Sequence, residues 1–195
     1  MIFRLSTKWA RLCCAGLVSV IALTVPAVLP AAAVEKAVAP EKNSPGDIPD
    51  SQVFVDFASS LGFAMQVPEG WSRKDAPSGA IFADKYNTIT IAISAANVKP
   101  SPSADDPQVA AQVGAGHAVK VTSVKDVQLK AGPAVRIVYS ANSDPNPVTN
   151  KQIRLEGNRY LFFKDGKLAT LDLTAPLGAD NVDQWQLMAN SFRWR

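Results

Sequence analysis

His117 is the only histidine of the chain, and the only side chain whose ordinary pKa lets it move protons near neutrality. As a catalytic base it would need an orienting carboxylate and a nucleophile beside it, and neither can be located from the sequence. It follows Val109 and Val113 at four-residue steps, which predicts a place at a helix C-terminus, where a partial positive charge meets the negative end of the helix dipole. Gly114-Ala115-Gly116 opens like a dinucleotide-binding motif, but Val119 stands where the third glycine should be and the stretch follows a helical pattern, not a strand. It reads as a helix end. Asp105-Asp106 and the Asp47/Asp50 pair carry oxygens that could suit a hard cation, yet neither has the alternating Asp-x-Asp-x-Asp-Gly spacing of a calcium loop. There is no Gly-x-Ser-x-Gly, no His-Glu-x-x-His and no phosphate loop. Two carboxylates converging from distant parts of the chain, as in glycoside hydrolysis, are the one enzyme arrangement that spacing leaves open. The sequence therefore assigns no catalytic residue, no metal ligand and no cofactor.

Composition narrows the setting. Arg4, Lys8 and Arg11 precede an uncharged apolar run over residues 12–25, then Pro26, Pro30 and Ala31-Ala32-Ala33. This is the order of a cleavable export signal over residues 1–33, with a predicted mature start at Val34. Residues 12–33 are also long enough to span a bilayer as an uncleaved anchor; the prolines and alanines favour cleavage. The only cysteines, Cys13 and Cys14, stand at the start of the apolar run and not after it, so no lipid-anchor cysteine is read. Beyond residue 33 no cysteine remains, which excludes disulfides, thiol catalysis and thiolate metal sites there. Three of the 20 basic residues and none of the 17 acidic ones lie in residues 1–33, so the remainder balances at 17 against 17. A neutral domain has no broad electrostatic footprint for nucleic acid or anionic lipid. The expected location is secreted or extracytoplasmic, with no stable membrane anchor after cleavage.

Residues 34–52 carry Pro40, Pro45, Gly46 and Pro49 without apolar periodicity, the composition of a flexible linker. Residues 53–195 form one domain of ordinary size. Period-two alternation predicts strands at residues 53–57, 62–67, 79–83, 88–94, 134–141, 152–164 and 167–175. The last two are joined by Lys164-Asp165-Gly166-Lys167, whose Asp-Gly centre signals a tight hairpin. Asp106 with Pro107 predicts one helix start. Asp180 or Asn181 predicts another, with Val182, Trp185, Ala189 and Phe192 on one face. Strands with a few helices and no regular βαβ repeat point to an α+β fold. Trp71 and Trp185 are expected core anchors.

Phe63-Ala64-Met65-Gln66-Val67-Pro68-Glu69-Gly70-Trp71 resembles the opening strand and Pro-x-Gly-Trp turn of PsbP-like domains. Leu171-Asp172-Leu173-Thr174-Ala175-Pro176, continuing through Trp185 to Ser191-Phe192-Arg193-Trp194, resembles their final strand, helix and Ser-Phe ending. Within that family the chain is most similar to the actinobacterial envelope branch typified by the LpqN/LpqT lipoproteins, although it lacks their lipid-anchor motif. Other branches are the photosystem II extrinsic protein and a nuclear-import factor that binds the GTPase Ran. The resemblance implies an α/β/α sandwich around a central antiparallel sheet, and binding or docking without catalysis.

Asp144-Pro145-Asn146-Pro147 is too proline-rich for a helix or a sheet interior and is expected to be exposed. It leads into Lys151, Arg154, Arg159 and Tyr160, where basic and aromatic residues cluster as they do at protein interfaces. Asp144, Asn146, Lys151, Arg154, Arg159 and Tyr160 are therefore the candidate partner surface. A helix layer over the strand would instead make Tyr160 and Phe162 core. The expected function is a non-catalytic secreted or cell-envelope binding or adaptor protein, with an envelope protein as partner. The alternatives are an extracytoplasmic carrier of a small apolar or lipid-like ligand, and a hydrolase with paired carboxylates.

Overall fold

Alternation along the strands divides the buried side chains into two sets, one for each face of a single large sheet. The computed structural model describes residues 35–42, 45–114 and 116–195; the export signal read from residues 1–33 lies outside them. Seven strands build the sheet: β3 (Ser72–Ala76), β4 (Gly79–Asp84), β5 (Asn87–Ala95), β6 (His117–Leu129), β7 (Gly132–Asn142), β8 (Arg154–Lys164) and β9 (Lys167–Pro176). Their order is β3-β4-β5-β9-β8-β7-β6, and every neighbour is antiparallel. A second sheet, β1-β2-β10, is formed by β1 (Phe54–Ser59), β2 (Phe63–Pro68) and β10 (Arg193–Trp194). Helices α1 (Pro107–Val113) and α2 (Val182–Ser191) complete the elements of the described residues.

One face of the large sheet buries Ile89, Ile91, Tyr160, Phe162, Leu171 and Leu173 against Trp185 and Met188 of α2 and Phe63 of β2. Its centre is an aromatic stack. The Phe162 and Phe192 rings lie 4.2 Å apart, and Phe63 stacks on Phe192 at 6.0 Å. The other face buries Val135, Ile137, Leu161 and Leu168 against Val109 of α1. With a helix on each side, this is the α/β/α sandwich of an α+β fold.

The β8–β9 hairpin closes as expected, with Lys164 opposite Lys167. Asp165 and Gly166 take φ of 48° and 73°, the two left-handed residues that a two-residue hairpin turn needs. Asp106 caps α1: its Oδ1 accepts from the N–H groups of Gln108 at 2.8 Å and Val109 at 3.2 Å. The helix ends at Val113, and the Gly114 N–H donates to the Ala110 carbonyl. His117 consequently opens β6 and is not a helix C-terminal residue. The 13-residue β6 is the longest strand among the described residues, and it carries no clean alternation because its pairing with β7 shifts at two points near its start. Strand β3 escaped sequence reading for a different reason: all five of its residues are exposed. In α2 the buried face is Gln184, Trp185, Met188 and Ala189, while Val182 faces outward. Trp71 is partly buried at the edge of the core that Trp185 enters fully.

Residues 35–42 and 45–52 belong to the same compact unit as the strands, so these residues of linker composition are held to the domain. Its Ile48 side chain is 3 % exposed within the main core. Asn181, at the N-cap position of α2, does not cap that helix with its side chain. Its Oδ1 accepts from the Ile48 N–H at 2.6 Å, and its Nδ2 donates to the Gly46 carbonyl at 2.9 Å. Asn87 donates to the same carbonyl.

Candidate functional site

The connection between β7 and β8 holds its own shape. The Asn146 side chain accepts from the N–H groups of Val148 and Thr149 at 3.0 and 2.9 Å, and the backbone N–H of Asn146 donates to the Lys151 carbonyl. Ser143 and Ile153 close the base, with the Ser143 N–H donating to the Ile153 carbonyl and its Oγ accepting from the Ile153 N–H. A side chain that bonds backbone two and three residues on stabilises such a turn locally. This loop forms one wall of an open cleft of about 800 Å³. Lys85 and Tyr86, from the β4–β5 turn, and Glu41 line it from elsewhere in the chain. Tyr86 is 50 % exposed and Val148, on the loop, 91 % exposed.

Of the six candidate residues, three belong here. Asp144 and Asn146 are exposed on the loop, and Lys151 is exposed at its end; all three line the cleft. The other three do not form a surface. Tyr160 is 3 % exposed and stacks with Phe162 at 6.3 Å, because its strand parity faces α2. Burial raises its pKa. Arg154 is 5 % exposed. Its guanidinium donates to the Ala118 carbonyl, to Asn142 Oδ1 and to Ser140 Oγ, so its donors are engaged inside the domain. Arg159 lies on the α1 side of the sheet, where its Nη2 donates to Asp172 at 2.6 Å. The Tyr139 hydroxyl donates to the same carboxylate at 2.9 Å. Burial disfavours the Arg159 charge, and the bond to Asp172 together with its charge outweighs this, so the pKa is raised. Burial first, and then Asp172, push the Tyr139 pKa up. Gly157 permits this cluster: a Cβ there would stand 2.5 Å from the Tyr139 ring.

A second constellation was invisible from spacing. The carboxylate of Glu35 receives three donors: His117 Nδ1 at 2.8 Å, Gln152 Nε2 at 2.9 Å and Asn142 Nδ2 at 3.1 Å. Asp144 approaches the other ring nitrogen of His117 at 3.4 Å. The bonds from Gln152, Asn142 and His117 hold the Glu35 pKa down at about 2. In return the Glu35 hydrogen bond and charge, with a smaller contribution from Asp144, raise that of His117. His117 and Asn142 also line a cavity of about 210 Å³ beneath α1, which Tyr139 and Arg159 border. His117 and Glu35 are 82 residues apart in sequence, and nothing local in either segment announces the other. Asn142 and Gln152 flank the loop that the prolines mark, so they were within reach of the sequence. Chemically the arrangement is a receptor for a carboxylate. Glu35 is not poised there as a general acid, since its three donors keep it ionised down to strongly acidic pH. Among the described residues no group of three or more metal-ligating side chains is placed to hold an ion.

No family model matches the chain, and no curated protein matches it in sequence. Solved structures do match in fold. A structure of cyanobacterial PsbP (CyanoP) from Synechocystis sp. PCC 6803 aligns with a TM-score of 0.50 at 14 % identity, over 77 % of this chain and 99 % of that one. A protein of Bacteroides thetaiotaomicron VPI-5482 aligns with a TM-score of 0.47 at 12 % identity, over 72 % of this chain and 48 % of that one. The Saccharomyces cerevisiae Ran-binding protein Mog1p aligns at 0.44 and 8 % identity, over 74 % of this chain and 96 % of that one. At these identities the likeness concerns fold alone, and the fold is PsbP-like.

Proposed function

We propose that the chain is a non-catalytic binding or adaptor protein of the cell envelope, exported by the signal at residues 1–33, that docks a protein partner in the cleft beside residues 144–151. The observation that carries this reading is the cleft itself. One wall is a loop already fixed by its own hydrogen bonds and two prolines, so little conformational entropy remains to be lost on binding. Tyr86 presents apolar surface to solvent in the cleft beside Lys85, Lys151 and Asp144, and Val148 is exposed on the loop that forms its wall, a mixture suited to a protein interface. The sequence resemblance to the LpqN/LpqT branch supports the envelope setting.

Two observations weigh against the alternatives. The space between the large sheet and α2 is occupied by the Phe63–Phe192–Phe162 stack, where a carrier of an apolar ligand would need room. Paired-carboxylate hydrolysis needs one carboxyl group held protonated as the acid, a role that Glu35, the carboxylate at the centre of the His117 constellation, does not fill because its donors keep it ionised. The test is partner capture from envelope extract by the exported chain, by a Tyr86→Ala, Val148→Asp double variant, and by a chain whose residues 144–149 are replaced by Gly-Ser repeats. A protein captured by the wild type should be lost in both variants. Unchanged capture by folded variants would contradict the cleft as the docking surface.

A further inference from the structure

We infer that His117, Asn142 and Gln152 form a carboxylate-binding site whose occupant in this structure is the chain's own Glu35, and that an acidic segment of a partner protein takes that place when Glu35 lifts away. The second half of this inference rests on the docking reading above; the first half stands on geometry alone.

The site is built, not incidental. Asn142 is 4 % exposed, and all of its side-chain capacity is used. Its Oδ1 accepts from Arg154 Nη1 and from the Val38 N–H, both at 3.0 Å. Its Nδ2 donates to Glu35 and to the Lys36 carbonyl. Arg154 carries only donors, so it fixes the amide with its oxygen inward and its NH₂ toward Glu35. Arg154 is thus a positioning residue for the site. Gln152 is oriented in the same way, since its Nε2 also donates to the Ser143 carbonyl at 3.0 Å. The charged groups around His117 are Glu35 on one ring nitrogen and Asp144 on the other, with Arg154 held behind Ala118 and Asn142. Three donors converging on one carboxylate give it charge-assisted hydrogen bonds, the stronger kind.

The occupant is replaceable because of how it is attached. From Glu35 to Lys42 every residue is exposed except Val38, which is half-buried. The hydrogen bonds of that stretch to the domain run through Asn142, Gln152 and His117. The anchor that burial provides comes later, at Ile48. The outer stretch can therefore open locally while Ile48 stays seated, as weakly buried segments do. The donors freed by opening stand beside the cleft, whose lining already includes Gln152 and Asp144. A partner segment lying in that cleft can place one carboxylate where Glu35 now sits.

The test uses the exported chain with Glu35→Lys, which sets a cation against His117 and vacates the site while leaving all three donors in place. Glu35→Gln replaces it if that variant does not fold. Three probes are titrated: the nonapeptide of residues 34–42, the same nonapeptide with Glu35→Gln, and sodium acetate. The readouts are the side-chain amide resonances of Asn142 and Gln152 and the ring resonances of His117. The nonapeptide should shift all three, binding about tenfold or more tightly than its Gln counterpart, the usual worth of hydrogen bonds to a charged group. Equal binding of the two peptides, or none, overturns the carboxylate site. Acetate binding as tightly as the nonapeptide overturns the acidic segment in favour of a small free carboxylate. Partner capture separates the two readings. Loss on loop replacement but not in a Gln152→Ala, His117→Ala double variant overturns the site's use in trans and leaves the cleft standing. Loss in the double variant with the loop replacement unaffected rejects the cleft and keeps the carboxylate site.

Discussion

Two parts of one segment are held to the domain by opposite physics. Around residue 48 the chain is fastened by burial: Ile48 enters the core beneath α2, its N–H reaches Asn181, and the neighbouring Gly46 carbonyl takes donors from Asn181 and Asn87. Around residue 35 it is fastened by charge: an exposed carboxylate sits among three side-chain donors. Burial removes apolar area from water and opens only with the surrounding core. Exposed polar contacts exchange with water at little net cost. The segment thus combines a permanent anchor with an exchangeable latch, and composition alone would call both a linker.

The largest expected effect strikes the anchor. Ile48→Ala should destabilise the domain by about 2–5 kcal/mol, the range for truncating a buried isoleucine, read as a lowered denaturant midpoint at unchanged slope. A change lost in experimental error would mean that residue 48 does not belong to the core. Asn181→Ala should cost about 1–3 kcal/mol, because it strands the Ile48 N–H away from water and removes a donor from Gly46. If Asn181→Ala proves costlier than Ile48→Ala, hydrogen bonding and not burial is the anchor.

The latch should respond to pH where the anchor does not. His117 has a raised pKa when docked, so its contribution is complete below the ordinary value of 6.5 and is lost as pH rises through the raised value. Glu35 is lowered from 4.5 to about 2, so its contribution is complete above 4.5 and is lost as pH falls toward 2. Docking of residues 35–38 should be tightest between these limits, at mildly acidic pH. Cleavage after Lys36 by a lysine-specific protease, corrected for the enzyme's own pH profile, should be slowest there. A flat profile would remove His117 and Glu35 from the latch. The smallest effect belongs to Asp144→Asn: at 3.4 Å from His117 and almost fully exposed, it should leave thermal stability unchanged within error and lower the His117 pKa only slightly.

What the sequence disclosed follows the same division. Strands β5, β7 and β9 alternate over much of their length, which period-two reading detects, and the Asp165-Gly166 turn fixes the register of the last pair. That register already placed Arg159 opposite Asp172 and Tyr160 opposite Leu171. Counting outward from the turn sets Tyr160 against apolar Leu171, which points to the interior, and gives Arg159 an acidic cross-strand partner in place of a free basic surface. The 144–150 loop was legible because prolines exclude sheet and helix locally. Strand β6 was not, since bulges and an unpaired edge erase its period. The Glu35 site was not legible either. It joins four residues from three distant stretches, and a contact across 82 residues leaves no mark in the spacing of either partner.

Amide hydrogen exchange at two residues tests the central claim most directly. The Ile48 N–H donates to Asn181 and the Val38 N–H to Asn142, so each reports one fastening. The account predicts that Ile48 exchanges only through near-global unfolding. Val38 should exchange through a local opening at least about a hundredfold more often, given openings that range from near zero to the global free energy. That opening, corrected for intrinsic chemistry, should become more frequent as pH rises through the His117 pKa. Equal protection at both residues would contradict the distinction between anchor and latch, and no protection at either would show that residues 35–50 are the free linker their composition suggests.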